Sequence, residues 1–234
     1  EIVGLTFTKK AAGELGARVR ALLDKLYEDF PPVGLDDGEA GSPLVSTYHA
    51  FAHQFVAEHG LRIGVEPGAR LLSETESLQE AYRVVVNTDY PLTAIGLSPA
   101  SLAEVVVKLD QQLSEHLTTP HELREHDQAL IERVGGLPKT VKDDRALAET
   151  AAKRIQLSFL VEEYRERKQG EGAVDFADVL RLGHQLAGRQ DAQEIFHSRV
   201  RMTLLDEYQD TSVVQAELLA PLIGPEGSVT AVGD

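Results

Sequence analysis

With 234 residues, 42% hydrophobic and 26% charged, the chain is an ordinary globular protein with room for one large domain or two modest ones. No apolar run approaches the roughly 20 residues of a membrane helix, no basic-then-apolar leader opens the sequence, and the lack of cysteine excludes disulfides and thiolate metal sites, so a cytoplasmic protein fits best. A formal charge of −15 and a pI near 4.9 weigh against nucleic-acid binding by bulk electrostatics and leave room only for a few local contacts or for basic surface elsewhere in a longer protein.

In chain order, Ile2 to Phe7 is a short apolar run of the kind found in buried strands. Thr8 can cap a following helix from Lys9 through Leu26, with Leu15, Val19, Leu22 and Leu23 at helical spacing, and Pro31-Pro32 forbid its continuation. Leu44 to Ser46 is a shorter strand candidate, and a helix is expected from Tyr48 to His59, ending at Gly60. From about Glu74 to Lys168 the periodicity is helical and predicts no strand. The helices expected there begin at Ser73-Glu74-Thr75-Glu76 and continue through Leu78 to Val86, then span Ser101 to Leu117, Pro120 to Val134 and Asp144 to Lys168. Asp89-Tyr90-Pro91 and Gly135-Gly136-Leu137-Pro138 separate them. Thr203 to Leu205 and Val229 to Val232 are further strand candidates. Strand, polar turn and helix in succession on both sides of a helical block predict an α/β fold with a parallel sheet and an inserted helical domain. The start at Glu1 on an apolar run, and the end on a strand-like stretch, suggest a segment of a longer protein.

The chemistry centres on Asp206-Glu207, which follow the apolar run Met202 to Leu205. A strand ending in two acids presents them at the carboxyl edge of a parallel sheet, where α/β folds bind ligands. One carboxylate can hold Mg²⁺ while its neighbour positions or deprotonates the water that attacks a γ-phosphate. A solvated acidic turn is the plain alternative for such a pair. His116, His121 and His126 lack ligand spacing and are expected at the surface.

Five segments, Leu5 to Leu15, Ser46 to Phe51, Val174 to Leu180, Leu205 to Thr211 and Val232 to Asp234, taken in that order resemble superfamily 1 helicases of the UvrD, Rep and PcrA type. Leu205 to Thr211, with Gln215 following, resembles their motif II; Leu5 to Leu15, followed by Arg18-Val19, resembles motif Ia. Ser46-Thr47-Tyr48-His49-Ala50-Phe51 resembles the Thr-aromatic-His segment, Val174 to Leu180 the Asp-Phe-x-Asp-Leu-Leu segment, and Val232-Gly233-Asp234 the start of motif III. The resemblance implies an ATP- and Mg²⁺-dependent enzyme that translocates 3′ to 5′ on single-stranded DNA. In it Asp206 would bind Mg²⁺ and Glu207 would be the general base. Gln209 and Asp210 would link nucleotide state to the DNA site, and Phe7, Thr8 and Lys9 would lie under single-stranded DNA with Thr47 and His49 on the same track. An aromatic stacks on any base, while hydroxyls and helix-start amides hold phosphates without bulk positive charge. Lys9 stands where the family more often has Asn. Core packing is the alternative for Phe7 and for His49; Phe176 is expected in the core, and Asp175 and Asp178 as capping or solvated acids.

The resemblance further implies a RecA-like domain 1A, incomplete here, from residues 1–73 and 169–234, with residues 74–168 as the all-helical insertion 1B. The phosphate loop G-x-x-x-x-G-K-[ST] occurs nowhere in the sequence, which contains no Gly-Lys pair. The chain by itself is therefore expected to hydrolyse ATP negligibly. Two alternatives stand beside the helicase reading. One is the motor of a RecB/AdnB-like helicase-nuclease subunit, which the spelling of residues 166–176 suits slightly. The other is a non-motor DNA-binding or docking module, against which the intact acid pair argues.

Overall fold

A computed structural model describes residues 2–29, 44–66, 68–137 and 141–234, so Pro31-Pro32 and Pro138 lie outside the described residues. The chain forms two compact units, residues 1–67 with 182–234, and residues 68–181.

The first unit is built on four parallel strands, β1 (Ile2–Thr6), β2 (Leu44–Thr47), β5 (Met202–Leu205) and β6 (Ser228–Ala231), in the order β2-β1-β5-β6. All four coincide with the apolar runs of the sequence to within one residue. The central strand β1 is buried, with Val3 1% and Leu5 0% exposed, whereas every residue of β6 is exposed. Helix α1 (Lys9–Asp29) starts where Thr8 Oγ1 accepts a hydrogen bond from the Ala11 amide. Leu15, Val19 and Leu23 are half-buried on it, but Leu22 points outward at 68% exposure, one step off the stripe the spacing suggested. Helix α2 (Tyr48–His59) has the bounds its sequence implied, and Thr47 Oγ1 caps it through the Ala50 amide. Gly60 keeps right-handed helical angles, and the chain tightens into a 3₁₀ turn over Gly60–Ile63. The left-handed stop falls instead at Gly64, with φ 76°. Phe51 of α2 packs face to face on Phe55 and edge-on against Phe196 of a helix over Gln190–Arg199, which apolar spacing had not disclosed.

The second unit is helical. Its long helices are α3 (Glu74–Asn87), α4 (Pro99–Glu115), α5 (Pro120–Gly135) and α6 (Lys142–Gly170). Reciprocal capping boxes start two of them, Ser73 with Glu76 and Thr119 with Glu122. Val84, Val106, Leu160 and Val161 lie in its apolar core. A two-stranded parallel pair, β3 (Arg70–Leu71) with β4 (Ala173–Val174), closes its base. That pairing carries the unit beyond 74–168 on both flanks, since each strand lies just outside the helical run. Helix α7 (Phe176–Ala187) follows β4, and its first residue, Phe176, is 44% exposed rather than in the core.

Asp175 and Asp178 are not solvated. They cap the start of α7 reciprocally and lie in a buried cluster with Asp110 of α4. The ammonium of Lys168, itself 1% exposed, sits among all three at 3.1, 2.5 and 2.7 Å from Asp110, Asp175 and Asp178. Arg165 donates to Asp110, Arg181 to Asp178, and the Tyr164 hydroxyl to Asp175. Burial disfavours the Lys168 ammonium, but the charges of Asp110, Asp178 and Asp175 outweigh that and raise its pKa. Three carboxylates facing three cations leave no net charge to strand in the interior. Lys168→Met removes the central cation and is expected to cost about 3–5 kcal/mol in urea unfolding. Because the folded pKa of Lys168 is raised, its contribution is complete below the unfolded value of about 10.4 and lost only as pH rises through the folded one. The gap between wild type and variant should hold through neutral pH and narrow above about pH 10. A loss under about 1 kcal/mol at neutral pH would show that the ion cluster does not hold the unit together.

Candidate functional site

In a parallel sheet every strand ends at the same edge, and here that edge gathers the polar groups. Register pairs Thr6 with Thr47 and Leu5 with Leu205, and the Asp206 amide continues the ladder by donating to the Leu5 carbonyl at 2.9 Å. Asp206 therefore emerges beside Thr6, whose hydroxyl lies 3.3 Å from Asp206 Oδ2. The other carboxylate oxygen of Asp206 has no protein partner among the described residues. A half-exposed carboxylate with one oxygen oriented and one open suits a single-point ligand for a hard cation. The donor set thus fits Mg²⁺.

Glu207 is exposed and adopts the left-handed conformation, φ 53° and ψ 42°. A non-glycine residue held there costs of order 1–3 kcal/mol and persists only where its surroundings fix it. The fixing bonds are the Tyr208 amide to the Val232 carbonyl, the Asp210 amide to the Glu207 carbonyl and the Val232 amide to the Leu205 carbonyl. They turn the chain sharply from β5 into a 3₁₀ turn over Tyr208–Asp210. Gln209 bridges the turn, donating to Glu207 Oε2 at 2.7 Å and accepting from the Asp234 amide at 3.2 Å. A Cβ on Gly233 would press on the Gln209 carboxamide, which would have to swing aside, and would lie 3.1 Å from the Gln209 backbone nitrogen, so a larger residue here would disturb the bond from the Asp234 amide.

Two grooves flank the edge. One, of about 370 Å³, is lined by Ala11, Leu15, Arg18, Asp206, Thr230 and Val232. The other, of about 260 Å³, is lined by Lys9, Gly13, Arg20, Ser46, Thr47 and Ala50. Lys9, Gly13, Gly16 and Arg20 share one face of α1, at helical spacing, and the glycines keep that face open. Arg20 carried no mark as a site residue in the sequence; that spacing is the signal that could have found it.

Of the residues singled out by sequence, Asp206, Glu207 and Gln209 fall together in one turn, and Lys9 and Thr47 line one groove. Phe7 is half-buried with its ring 5.2 Å from that of Tyr48, between stacking outward and packing inward. Thr8 is exposed and His49 half-buried. The hydroxyls of Thr8 and Thr47 are engaged as helix caps, which aims two helix N-termini at the carboxyl edge. His116, His121 and His126 are exposed on the helical unit.

The family description "UvrD/REP helicase N-terminal domain" matches residues 1–234. The chain belongs to this family. Among its relatives are ATP-dependent DNA helicase UvrD1 of Mycobacterium tuberculosis at 29% identity, ATP-dependent DNA helicase Rep of Escherichia coli at 24%, and DNA helicase II of Escherichia coli at 24%. Each match covers 100% of the chain, which spans only 27–29% of the length of these relatives. The parallel α/β sheet agrees with the fold class the motifs implied for a UvrD/REP helicase N-terminal domain, and no helix among the described residues is long and apolar enough to cross a membrane.

The hydrogen bond from Thr6 to Asp206 joins β1 to the start of the acidic turn. Thr6→Val keeps the β-branched shape and removes the donor, and is expected to lower stability by about 1 kcal/mol in urea unfolding. Unchanged stability would show the bond to be unimportant in solution.

Proposed function

We propose that this chain is the first motor portion of an ATP-dependent helicase that translocates 3′ to 5′ along single-stranded DNA in repair or recombination. The observation that supports this most is the carboxyl edge of the sheet, where an oriented Asp206, a left-handed Glu207 and two capped helix starts lie in one register. In this reading residues 1–73 and 169–234 belong to a RecA-like domain 1A, and 74–168 to the inserted domain 1B.

Asp206 would hold Mg²⁺, which would neutralise charge on the phosphates, and Thr6 fixes the carboxylate's orientation. Glu207 accepts the proton of the water that attacks the γ-phosphate, and its strained backbone presents the carboxylate outward from the sheet edge. Gln209, bonded to both Glu207 and the Asp234 amide, passes the state of the acid to the segment beginning motif III. Phe7 stacks on a base, Thr47, Lys9 and Arg20 track the phosphates along the 260 Å³ groove, and Thr8 and His49, next in sequence to two of its lining residues, join the same track. Two cations, two hydroxyls and two helix N-termini in one place give local attraction that the net charge of −15 conceals. Neither grip on the β- and γ-phosphates nor Lys-type charge neutralisation is available from these residues. The phosphate cradle is a task for the rest of the parent protein, and the chain alone should show no turnover above background.

In the full-length parent, Glu207→Gln is expected to reduce ssDNA-stimulated ATP turnover by about 10²-fold or more, with nucleotide affinity retained. Turnover within a few-fold of wild type would remove Glu207 from the role of base. Phe7→Ala should weaken binding of a fluorescent oligonucleotide by about 5- to 100-fold, with no preference among base sequences. Equal affinity for the variant and the wild type would place the Phe7 ring outside the DNA track.

A further inference from the structure

Tyr48 opens α2 and is 2% exposed, yet it sits between two segments that both face the functional edge. On one side its ring meets that of Phe7 at 5.2 Å, tilted by 48°. On the other its hydroxyl lies 3.2 Å from Thr211 Oγ1, at the far end of the turn that carries Glu207. Burial pushes the phenol's pKa up, so the group stays neutral and its O–H remains available for this bond. The residue before Phe7, Thr6, reaches the near end of the same turn through Asp206. The β1 end thus touches the Asp206–Thr211 turn twice, directly through Thr6 and indirectly through Phe7 and Tyr48.

We propose that Tyr48 is a positioning residue that couples occupancy of the Phe7 site to the geometry of the Asp206–Thr211 turn, and so carries part of the stimulation of ATP hydrolysis by single-stranded DNA. The inference rests on the motor reading above. A base stacking on Phe7 fixes a ring that is in contact with Tyr48. The hydroxyl–hydroxyl bond then holds Thr211, the residue that ends the 3₁₀ turn, and with it the turn that the left-handed Glu207 precedes. Two rings in contact and one hydroxyl–hydroxyl bond of 3.2 Å form the link between the two places.

The test uses the full-length parent with Tyr48→Phe, which deletes the hydroxyl and keeps the ring. ATP turnover is measured without DNA and across a titration of an oligonucleotide of mixed sequence. The expected result is basal turnover within twofold of wild type, an unchanged half-saturating DNA concentration, and DNA-stimulated kcat lower by about 5-fold or more. Thr211→Val should reproduce the loss, Thr211→Ser should restore it, and Tyr48→Phe combined with Thr211→Val should be no worse than either alone. Undiminished stimulation in Tyr48→Phe would overturn the inference. So would equal proportional falls in basal and stimulated turnover, which mark a merely structural role. A wild-type protein with no DNA-stimulated turnover would overturn the motor reading itself, and this inference with it, before any variant is compared.

Discussion

The register of β1 against its neighbours is the constraint on which the rest of this molecule depends. A parallel strand buried on both faces is a nearly continuous apolar run, and a polar group within it needs a partner. With Leu5 opposite Leu205 and Thr6 opposite Thr47, the buried hydroxyls of Thr6 and Thr47 and the half-exposed Asp206 fall at one end of the sheet. A slip of one residue would carry the buried Thr6 away from Asp206 and leave its hydroxyl without that partner. The core and the candidate site are therefore specified together, because the same register that seats Val3 and Leu5 in the core places Thr6 against the acid.

Electrostatics in the helical unit are settled internally. Arg124 is paired with Glu162, Arg154 with Asp127, Arg165 with Asp110, and Arg167 with Glu80 and Glu171. Lys168 compensates three buried carboxylates in a site whose acids alone would resemble a cation cluster. Much of the unit's basic content thus stabilises its own fold and is not offered to a polyanion. In the sheet unit, by contrast, Lys9 and Arg20 stand along an open groove beside capped helix starts. Net charge averages over these two uses of cations, and so says little about where a phosphate could rest.

Most of the elements were legible in the sequence, and the exceptions have physical causes. Apolar runs marked all four strands of the main sheet, and Thr8 and Ser73 announced helix starts through local capping chemistry. The pair β3 and β4 left no trace, because two residues are too short for alternation and the partners lie about 100 positions apart. Gly60 resembled a helix stop, but a 3₁₀ turn carried the chain on to Gly64, where the left-handed angles are found. Lys168, Asp175 and Asp178 resembled surface residues because burial of a charge depends on partners brought from elsewhere, here Asp110 on another helix. Asp206 and Glu207 were conspicuous as a pair, but the left-handed backbone of Glu207 carries no compositional mark. The bond between Tyr48 and Thr211 spans 163 positions and exists only because β2 and β5 both flank β1.

Motif residues at this edge serve two purposes, and the two are chemically separable. Thr8 and Thr47 spend their side-chain oxygens on helix caps, each worth about 1 kcal/mol to the fold, so loss of function on truncating either confounds contact with stability. Phe7, Lys9, Arg20 and Glu207 carry no capping bond and lie half-buried or exposed. Their side chains owe little to folding, and the strain at Glu207 works against it. A turn selected only for stability would place glycine or asparagine where Glu207 stands, since either reaches left-handed angles at less cost. An acid nevertheless occupies the position, held there by one backbone hydrogen bond within the turn and two that tie Val232 to Leu205 and Tyr208.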